Sequence, residues 1–568
     1  MIKNNNYETV FEREVADLSS YAYLLRHKKT GARVFILSND DDNKVFYIGF
    51  RTPPSDSTGV AHITEHAVLC GSEKYPLKDP FVELAKGSLN TFLNAMTYPD
   101  KTVYPVASPN DQDFKNLMSV YMDAVFHPNT YKRPEILKQE GWHYELNDPE
   151  DPITYNGVVY NEMKGAFSSP DSVLDREVLN SLFPDSAYGV ESGGDPESIP
   201  DLTYDAFLDF HRKYYHPSNS YIYLYGDMDI EERLAWMDEE YLGRYDMLEI
   251  DSSIKYQKPF GNMREVIRPY PITDDEDEEE NTYISYNIVC GNTLDVEMVF
   301  AIQMLDYALI DMHGAPIWKR LFDEGIGKDV ISGFDDGVLQ PYLYIAVKNS
   351  DPGKKERFLE IIREEFEKAA DKGVDRKSLT ASLNSLKFKY READFGGTPK
   401  GLIYGLSCLK SWLYDDGSPL LHIELSDVFD RLEKGLESSY YEDIIRKYFL
   451  DESHTSLVML VPEKGLTAEN EQKTADKLAA YKASLSEEEI AQLTAEVELL
   501  KKALQLGKGR CENRVYGNSD LTKLIDEIVK KYNLKNSIRA LCRTVGMTPQ
   551  DYYYRKKSEV GILPVFVS

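Results

Sequence analysis

The 568-residue chain is poor in histidine, with ten, and in tryptophan, with four. It has five cysteines, Cys70, Cys290, Cys408, Cys511 and Cys542, widely spaced and without a C-x-x-C pair. An odd, scattered set excludes a disulfide framework and a cysteine-ligated metal, and fits reduced thiols. No apolar run reaches about 18 residues, and the mean hydropathy is −0.46, so no membrane span is expected. The opening MIKNNNYETVFEREVADL lacks a basic segment followed by an apolar one. No signal peptide is read there, and the cytoplasm is the expected location. Positive charge is also short: 65 Lys and Arg face 96 Asp and Glu, a net −31. That balance argues against nucleic acid as a partner, keeps the chain soluble and attracts cations.

What is present is organised as a repeat. RVFILSNDDDNKVFYIGFR (33–51) reads as two strands around a polar turn, and NSYIYLYGDMD (219–229) as an alternating strand. Seven consecutive acids, DDEDEEE (274–280), then mark a solvated linker. After it the pattern returns: TYISYNIVCGN (282–292) is similar to KVFYIGFRT, and RKYFLDESHTSLVMLVPE (446–463) to RKYYHPSNSYIYLYGDMD (212–229). This predicts an internal duplication. The expected fold class is α+β, two similar units, each an antiparallel sheet packed with helices. The units are placed at 1–255 and 282–464, with 256–281 as the acidic linker between them. Residues 465–507, rich in Ala, Glu, Lys and Leu, read as a helical hairpin arm broken near Ser484–Ser486, with Ser486 and Glu489 as a capping box. A short, basic helical tail, 508–568, follows.

The rare histidines cluster. HITEH (62–66) places His62 and His66 four apart, one above the other on a helix that Ser57 or Thr58 could cap and that Ile63, Ala67 and Val68 could bury. That spacing lets two imidazoles hold one Zn²⁺, with Glu65 beside the metal as a general base. H-x-x-E-H is a known zinc-peptidase pattern. The matching window of the second unit, near VFAIQMLDYAL (299–309), has no histidine, which favours a dedicated role for the first. A catalytic zinc needs a third protein ligand. Spacing alone does not choose it among 96 acidic residues.

The neighbouring motifs do more. HITEHAVLCGSEKYPLKDPF, SLNTFLNAMTYPDKTVYPVAS (88–108), GVVYNEMKGAFSSP (157–170) and YYHPSNSYIYLYGD (214–227), in that order, resemble the presequence-protease branch of the pitrilysin/insulysin (M16) zinc metallopeptidases, in their N-terminal half. The resemblance spans roughly residues 10–505. It implies a zinc metalloendopeptidase acting on short or unstructured peptides, with Glu162 of NEMKG as the third ligand. It also implies that Asn94 and Ala95 lie on an edge strand that binds substrate, as an edge strand can by main-chain pairing.

Members of that branch carry a second half that closes a chamber over the zinc and adds an Arg and a Tyr near the substrate. No stretch here matches it. A second half-chain or a homodimer would then complete the chamber, or the chain is an inactive or partner-dependent, peptide-binding half. In the tail, 516–558, three short helices are expected, with Gly546 ending the second, Thr548 capping the third and Pro549 at its first position. Lys530, Lys531, Lys535, Arg539, Arg543, Arg555, Lys556 and Lys557 make it basic. SIRALCRTVGMTPQDYYYRKK resembles the helix-turn-helix of some transposase-type proteins, which implies either a nucleic-acid-binding appendage or a tail acquired by gene truncation or fusion.

Overall fold

Near-continuous apolar runs build the first sheet. β3 (Arg33–Ser38), β4 (Lys44–Arg51) and β10 (Ser220–Gly226) are buried on both faces. β3 and β4 flank the expected polar turn without pairing to each other, because β10 inserts between them, parallel to β3 and antiparallel to β4. β1 (Tyr7–Val15) and β2 (Ser20–His27) extend one side. β7 (Lys101–Ser108) extends the other, with β5 (Phe92–Leu93) and β6 (Met96–Thr97) both paired to it at the edge. β8 (His143–Glu145) and β9 (Thr154–Asn156) form a separate pair. The structure, a computed structural model, describes residues 2–77, 80–393, 395–506, 518–534 and 536–559.

The second sheet contains β11 (Arg264–Ile272), β12 (Thr282–Val289), β13 (Asp329–Asp335), β14 (Tyr342–Ser350) and β15 (Thr455–Lys464), in the order β11-β15-β12-β14-β13. Its first four strands repeat the arrangement β3-β10-β4-β7 of the first sheet, including the direction of every pair. β10 and β15 carry the RKY-linked similarity, and β4 and β12 the other one. Each sheet is antiparallel apart from one parallel pair, β3–β10 and β11–β15. A parallel pair needs a long crossover, and the helix-rich stretch between its strands supplies one.

Two boundaries change. The stretch 256–281 is not simply a linker, because Arg264–Ile272 is the edge strand β11. Pro269 and Pro271 break the strand signal, yet an edge strand tolerates them. The acidic turn that follows, 273–280, is solvated throughout. The units at 1–255 and 282–464 follow the chain but not the packing. A sheet buried on both faces needs two helical layers, and each unit lends one helix to the other. Pro170–Leu182 sets Val173, Leu174, Val178 and Leu182 against Ala346, Val458 and Leu460 of the second sheet. Lys400–Trp412 sets Leu402, Cys408, Leu409 and Trp412 against Phe35, Tyr47 and Tyr223 of the first.

The arm is two helices, Leu466–Ser484 and Glu487–Leu506. Between them Ser486 Oγ accepts from Glu489 N while Glu489 Oε2 accepts from Ser486 N, a reciprocal cap. The described tail has three helices, Asn518–Tyr532, Ile538–Thr544 and Pro549–Glu559. Gly546, at φ +66°, follows the second, and Thr548 Oγ1 accepts from Asp551 N to cap the third. Leu521, Ile525 and Ile528 pack on Ala495, Leu499 and Ala503 of the arm. Cys290, Cys408 and Cys542 are free thiols. Cys511, Lys535 and the expectations for 507–517 and 560–568 lie outside the described residues, as does the side chain of Lys557. Among the described residues no helix is long and apolar enough to cross a membrane.

Candidate metal centre

HITEH lies on the helix Val60–Val68, directly after β4. Ile63, Ala67 and Val68 are fully buried, as their spacing predicts. The cap differs from expectation. Ser57 Oγ accepts from Glu191 N at 3.1 Å, and Thr58 Oγ1 donates to Asp56 at 2.5 Å, so neither caps the helix. Gly59 stands at the cap with φ +70°. A Cβ there would sit 2.8 Å from both Gly193 O and Gly194 Cα. The helix start and the loop 191–195 are thus in backbone contact, and only glycine permits it.

That contact orients the first histidine. His62 Nδ1 lies 3.1 Å from Gly193 O. A carbonyl only accepts, so Nδ1 carries the proton and Nε2 keeps its lone pair. One turn on, His66 Nδ1 lies 3.4 Å from Glu140 Oε2, at the end of the helix Glu135–Glu140. Glu162 comes from the helix Val158–Ala166, whose Tyr160 N donates to Gly141 O just beyond Glu140. Its Oε2 lies 3.8 Å from His62 Nε2 and 3.7 Å from His66 Nε2. The three ligand atoms all fall within 4.8 Å of one another, the one such grouping among the described residues.

Zn²⁺ with bonds of about 2.0–2.2 Å holds tetrahedral ligands roughly 3.4 Å apart. The two His–Glu separations come within about 0.4 Å of that spacing, and the two imidazole nitrogens, as much as 4.8 Å apart, close on a zinc ion by up to about 1.4 Å of side-chain rotation. Burial opposes charging of the His66 imidazole. The hydrogen bond it donates to Glu140 and the carboxylates of Glu65, Glu140 and Glu162 outweigh it and raise its pKa above the ordinary histidine value. The pocket favours positive charge. The Glu162 side chain is half exposed, so the site opens to solvent.

Glu65 is buried and stands apart from the ligand trio, its Oε2 accepting from Thr97 Oγ1 at 2.7 Å. Thr97 belongs to β6, on the sheet edge. Asn94 and Ala95 lie between β5 and β6 on that same edge. Asn94 N donates to Pro105 O at 3.2 Å and its carbonyl accepts from Tyr121 Oη at 3.2 Å. The six residues singled out in the sequence thus gather around one helix and one sheet edge. Sequence reasoning missed Gly193, Glu140 and Thr97, which hold His62, His66 and Glu65. The one signal for any of them is the Gly193–Gly194 pair. The corresponding helix of the second unit, Val296–Asp306, follows β12 and has no histidine.

A profile described as Insulinase (Peptidase family M16) matches residues 45–151, and one described as Peptidase M16 inactive domain matches 201–386. The chain is 47% identical over 506 residues to Protein HypA of Clostridium perfringens, covering 88% of this chain and 52% of that one. It is 42% identical to Presequence protease 1, chloroplastic/mitochondrial, of Arabidopsis thaliana, covering 87% of this chain and 46% of the other. It is 34% identical to Presequence protease, mitochondrial, of Xenopus tropicalis, with 84% and 47% covered. The chain thus spans about half the length of these curated relatives. Among solved structures, a protease from Helicobacter pylori superposes with a TM-score of 0.61 at 13% identity, covering 81% of this chain and all of that one. Pitrilysin superposes at 0.55 and 16% identity, covering 81% and 47%. Both likenesses concern the fold. The sequence matches extend the same assignment across the site, and the chain belongs to the M16 peptidase family, on its presequence-protease side.

Proposed function

We propose that the protein is a zinc-dependent metalloendopeptidase that hydrolyses short or unstructured peptides. The observation that carries this reading is the convergence of His62 Nε2, His66 Nε2 and Glu162 Oε2 beside a separately held Glu65. His62, His66 and Glu162 would hold the metal. When bound, zinc supplies Lewis acidity toward a peptide carbonyl and toward water.

Glu65 acts as general base on the attacking water and returns the proton to the leaving amine. Thr97 holds Oε2, so the proton is carried at Oε1. Thr97 also ties this base to the edge where Asn94 and Ala95 lie. An extended peptide pairing with that edge through its main chain would present its carbonyl to the site whatever its side chains. Such pairing requires a segment free of its own secondary structure, which selects unfolded peptides. The half-exposed Glu162 leaves the centre open on one side. A second half-chain or a second copy covering that side would exclude water; the alternative reading is an inactive or partner-dependent half that binds peptides without turnover.

The test is zinc content together with cleavage of a quenched, unstructured peptide, for wild type and Glu65→Gln. Wild type should bind one zinc per chain and cleave. The variant should keep the zinc and lose roughly 10²–10⁴-fold in rate. A wild type that holds zinc yet cleaves no faster than Glu65→Gln leaves the binding reading standing in place of the enzyme.

A further inference from the structure

Glu140 does nothing in the scheme above, yet it is among the best-placed carboxylates near the centre. It is 7% exposed, at the last position of the helix Glu135–Glu140. Its two oxygens are differently engaged. Oε2 faces His66 Nδ1 at 3.4 Å. Oε1 accepts from Gln139 Nε2 at 2.6 Å and from Cys70 Sγ at 3.4 Å. Cys70 is one helical turn beyond His66, and its Sγ also lies 3.6 Å from His66 O. The carboxylate is therefore held from one side and aimed at the imidazole from the other.

We infer that Glu140 is a positioning residue for the metal centre. It holds His66 in the Nδ1–H tautomer with Nε2 turned to the metal position, and it raises the basicity of that ligand. This rests on the metallopeptidase reading. The two histidines are supported differently: His62 leans on a neutral carbonyl, Gly193 O, and His66 on a carboxylate. A carboxylate behind a ligating imidazole strengthens it as a donor, and losing such a partner typically weakens metal affinity by 10–100-fold. His66 is thus the stronger donor of the pair.

The helix that bears Glu140 is itself braced by the C-terminal part of the chain. Lys138 Nζ lies 3.4 Å from Glu496 Oε2 of the arm. The tail turn at Gly546 meets Lys132 O, just before that helix, so closely that a Cβ would stand 2.2 Å from it. Arm and tail therefore support Glu140, and through it His66, from outside the catalytic unit.

The experiment is a zinc titration against a competing chelator on the full chain, for wild type, Glu140→Gln, Glu140→Asp and Glu140→Ala. Apo thermal unfolding serves as the fold control, and the d–d absorption of the Co²⁺-substituted protein as a direct view of the ligand field. Glu140→Ala should weaken zinc 10–100-fold. Glu140→Gln, which keeps an acceptor without the charge, should fall between, and Glu140→Asp should recover part of the loss. The Co²⁺ band should shift in Glu140→Ala and Glu140→Gln. If the alanine variant unfolds, the glutamine variant alone decides. Zinc affinity within twofold of wild type in a folded Glu140→Gln, with an unchanged Co²⁺ spectrum, overturns the inference. A wild type that binds no zinc instead overturns the metallopeptidase reading on which it rests.

Discussion

At the residue scale, the chain uses buried carboxylates in opposite ways. Glu65 and Glu140 are held by donors beside the metal centre. Asp306, at the end of the corresponding helix in the second unit, is buried with Ser332 and Asp311 as its neighbours and pairs with no cation among the described residues. Burial drives its pKa up, the Asp311 carboxylate adds to the rise and the Ser332 hydroxyl at 2.6 Å only partly offsets it, so the carboxyl reaches about 7. Its reference value is 3.8. Below about pH 4 folded and unfolded chains are both protonated there. Between 4 and 7 only the unfolded chain is ionised, so stability falls as pH rises, and above 7 the cost is constant. Asp306→Asn should therefore be more stable than wild type at pH 8 by roughly 2–4 kcal/mol, with the gap closing toward pH 4. Urea unfolding of both proteins across pH 4.5–8 checks this. A gap independent of pH counts against it. His62, Glu65 and His66 were legible because one short helix fixes their spacing. Glu162 became legible only through resemblance to a family. Glu140 and Thr97 were not legible, since each reaches its partner from a distant stretch of chain and nothing local marks it, and Gly193 was marked only by its pairing with Gly194.

At the element scale, local rules read well and tertiary rules did not. The Ser486–Glu489 box and the Thr548 cap depend on three or four consecutive residues and stand where the sequence places them. The HITEH helix was expected, but its cap was assigned to Ser57 or Thr58. The real N-terminus is set by the loop 191–195, far along the chain, pressing on Gly59. β11 was hidden because two prolines interrupt its pattern and its pairing partner, β15, is remote. Gly59 carries the sharpest test at this scale. Gly59→Ala adds a methyl to a left-handed residue and drives it into backbone. The loop must withdraw, and His62 then loses Gly193 O. We expect a loss of about 2–4 kcal/mol, together with weaker zinc binding. Gly87→Ala is the control, since a Cβ there meets nothing within 4 Å. Denaturant midpoints and zinc titrations of the two variants should separate them. Equal behaviour would remove the argument for the glycine contact.

At the scale of the whole molecule, the duplicated units are tied by exchange and by buried polar contacts, among them a cluster around Asp100. The exchange of Pro170–Leu182 and Lys400–Trp412 means that neither sheet is covered without the other half of the chain. The cluster lies where the turn between β6 and β7 meets the second unit. Asp100, fully buried, accepts from Tyr188 Oη and Tyr414 Oη, both at 2.6 Å, and from Lys101 Nζ at 3.1 Å. Lys101 Nζ donates also to Gly337 O at 3.0 Å, and Tyr188 Oη accepts from Leu339 N at 3.0 Å. One carboxylate thereby joins the edge beside Glu65 to the start of β14. Asp100→Ala leaves a buried ammonium without its counter-charge and two buried hydroxyls without their acceptor. Removing one partner of such a group costs about 3–5 kcal/mol. Because the lost contacts lie between the units, the damage should appear as lost coupling. Calorimetry of wild type should show one cooperative transition for both units, and Asp100→Ala a lower and broadened or split one. Zinc affinity should stay near the wild-type value, since no contact of His62, His66 or Glu162 runs through this cluster. On the proposed function peptide cleavage should fall, because the edge proposed to pair with the substrate is no longer pinned. A variant that unfolds in one sharp transition at the wild-type midpoint would show that the Asp100 cluster does not couple the units.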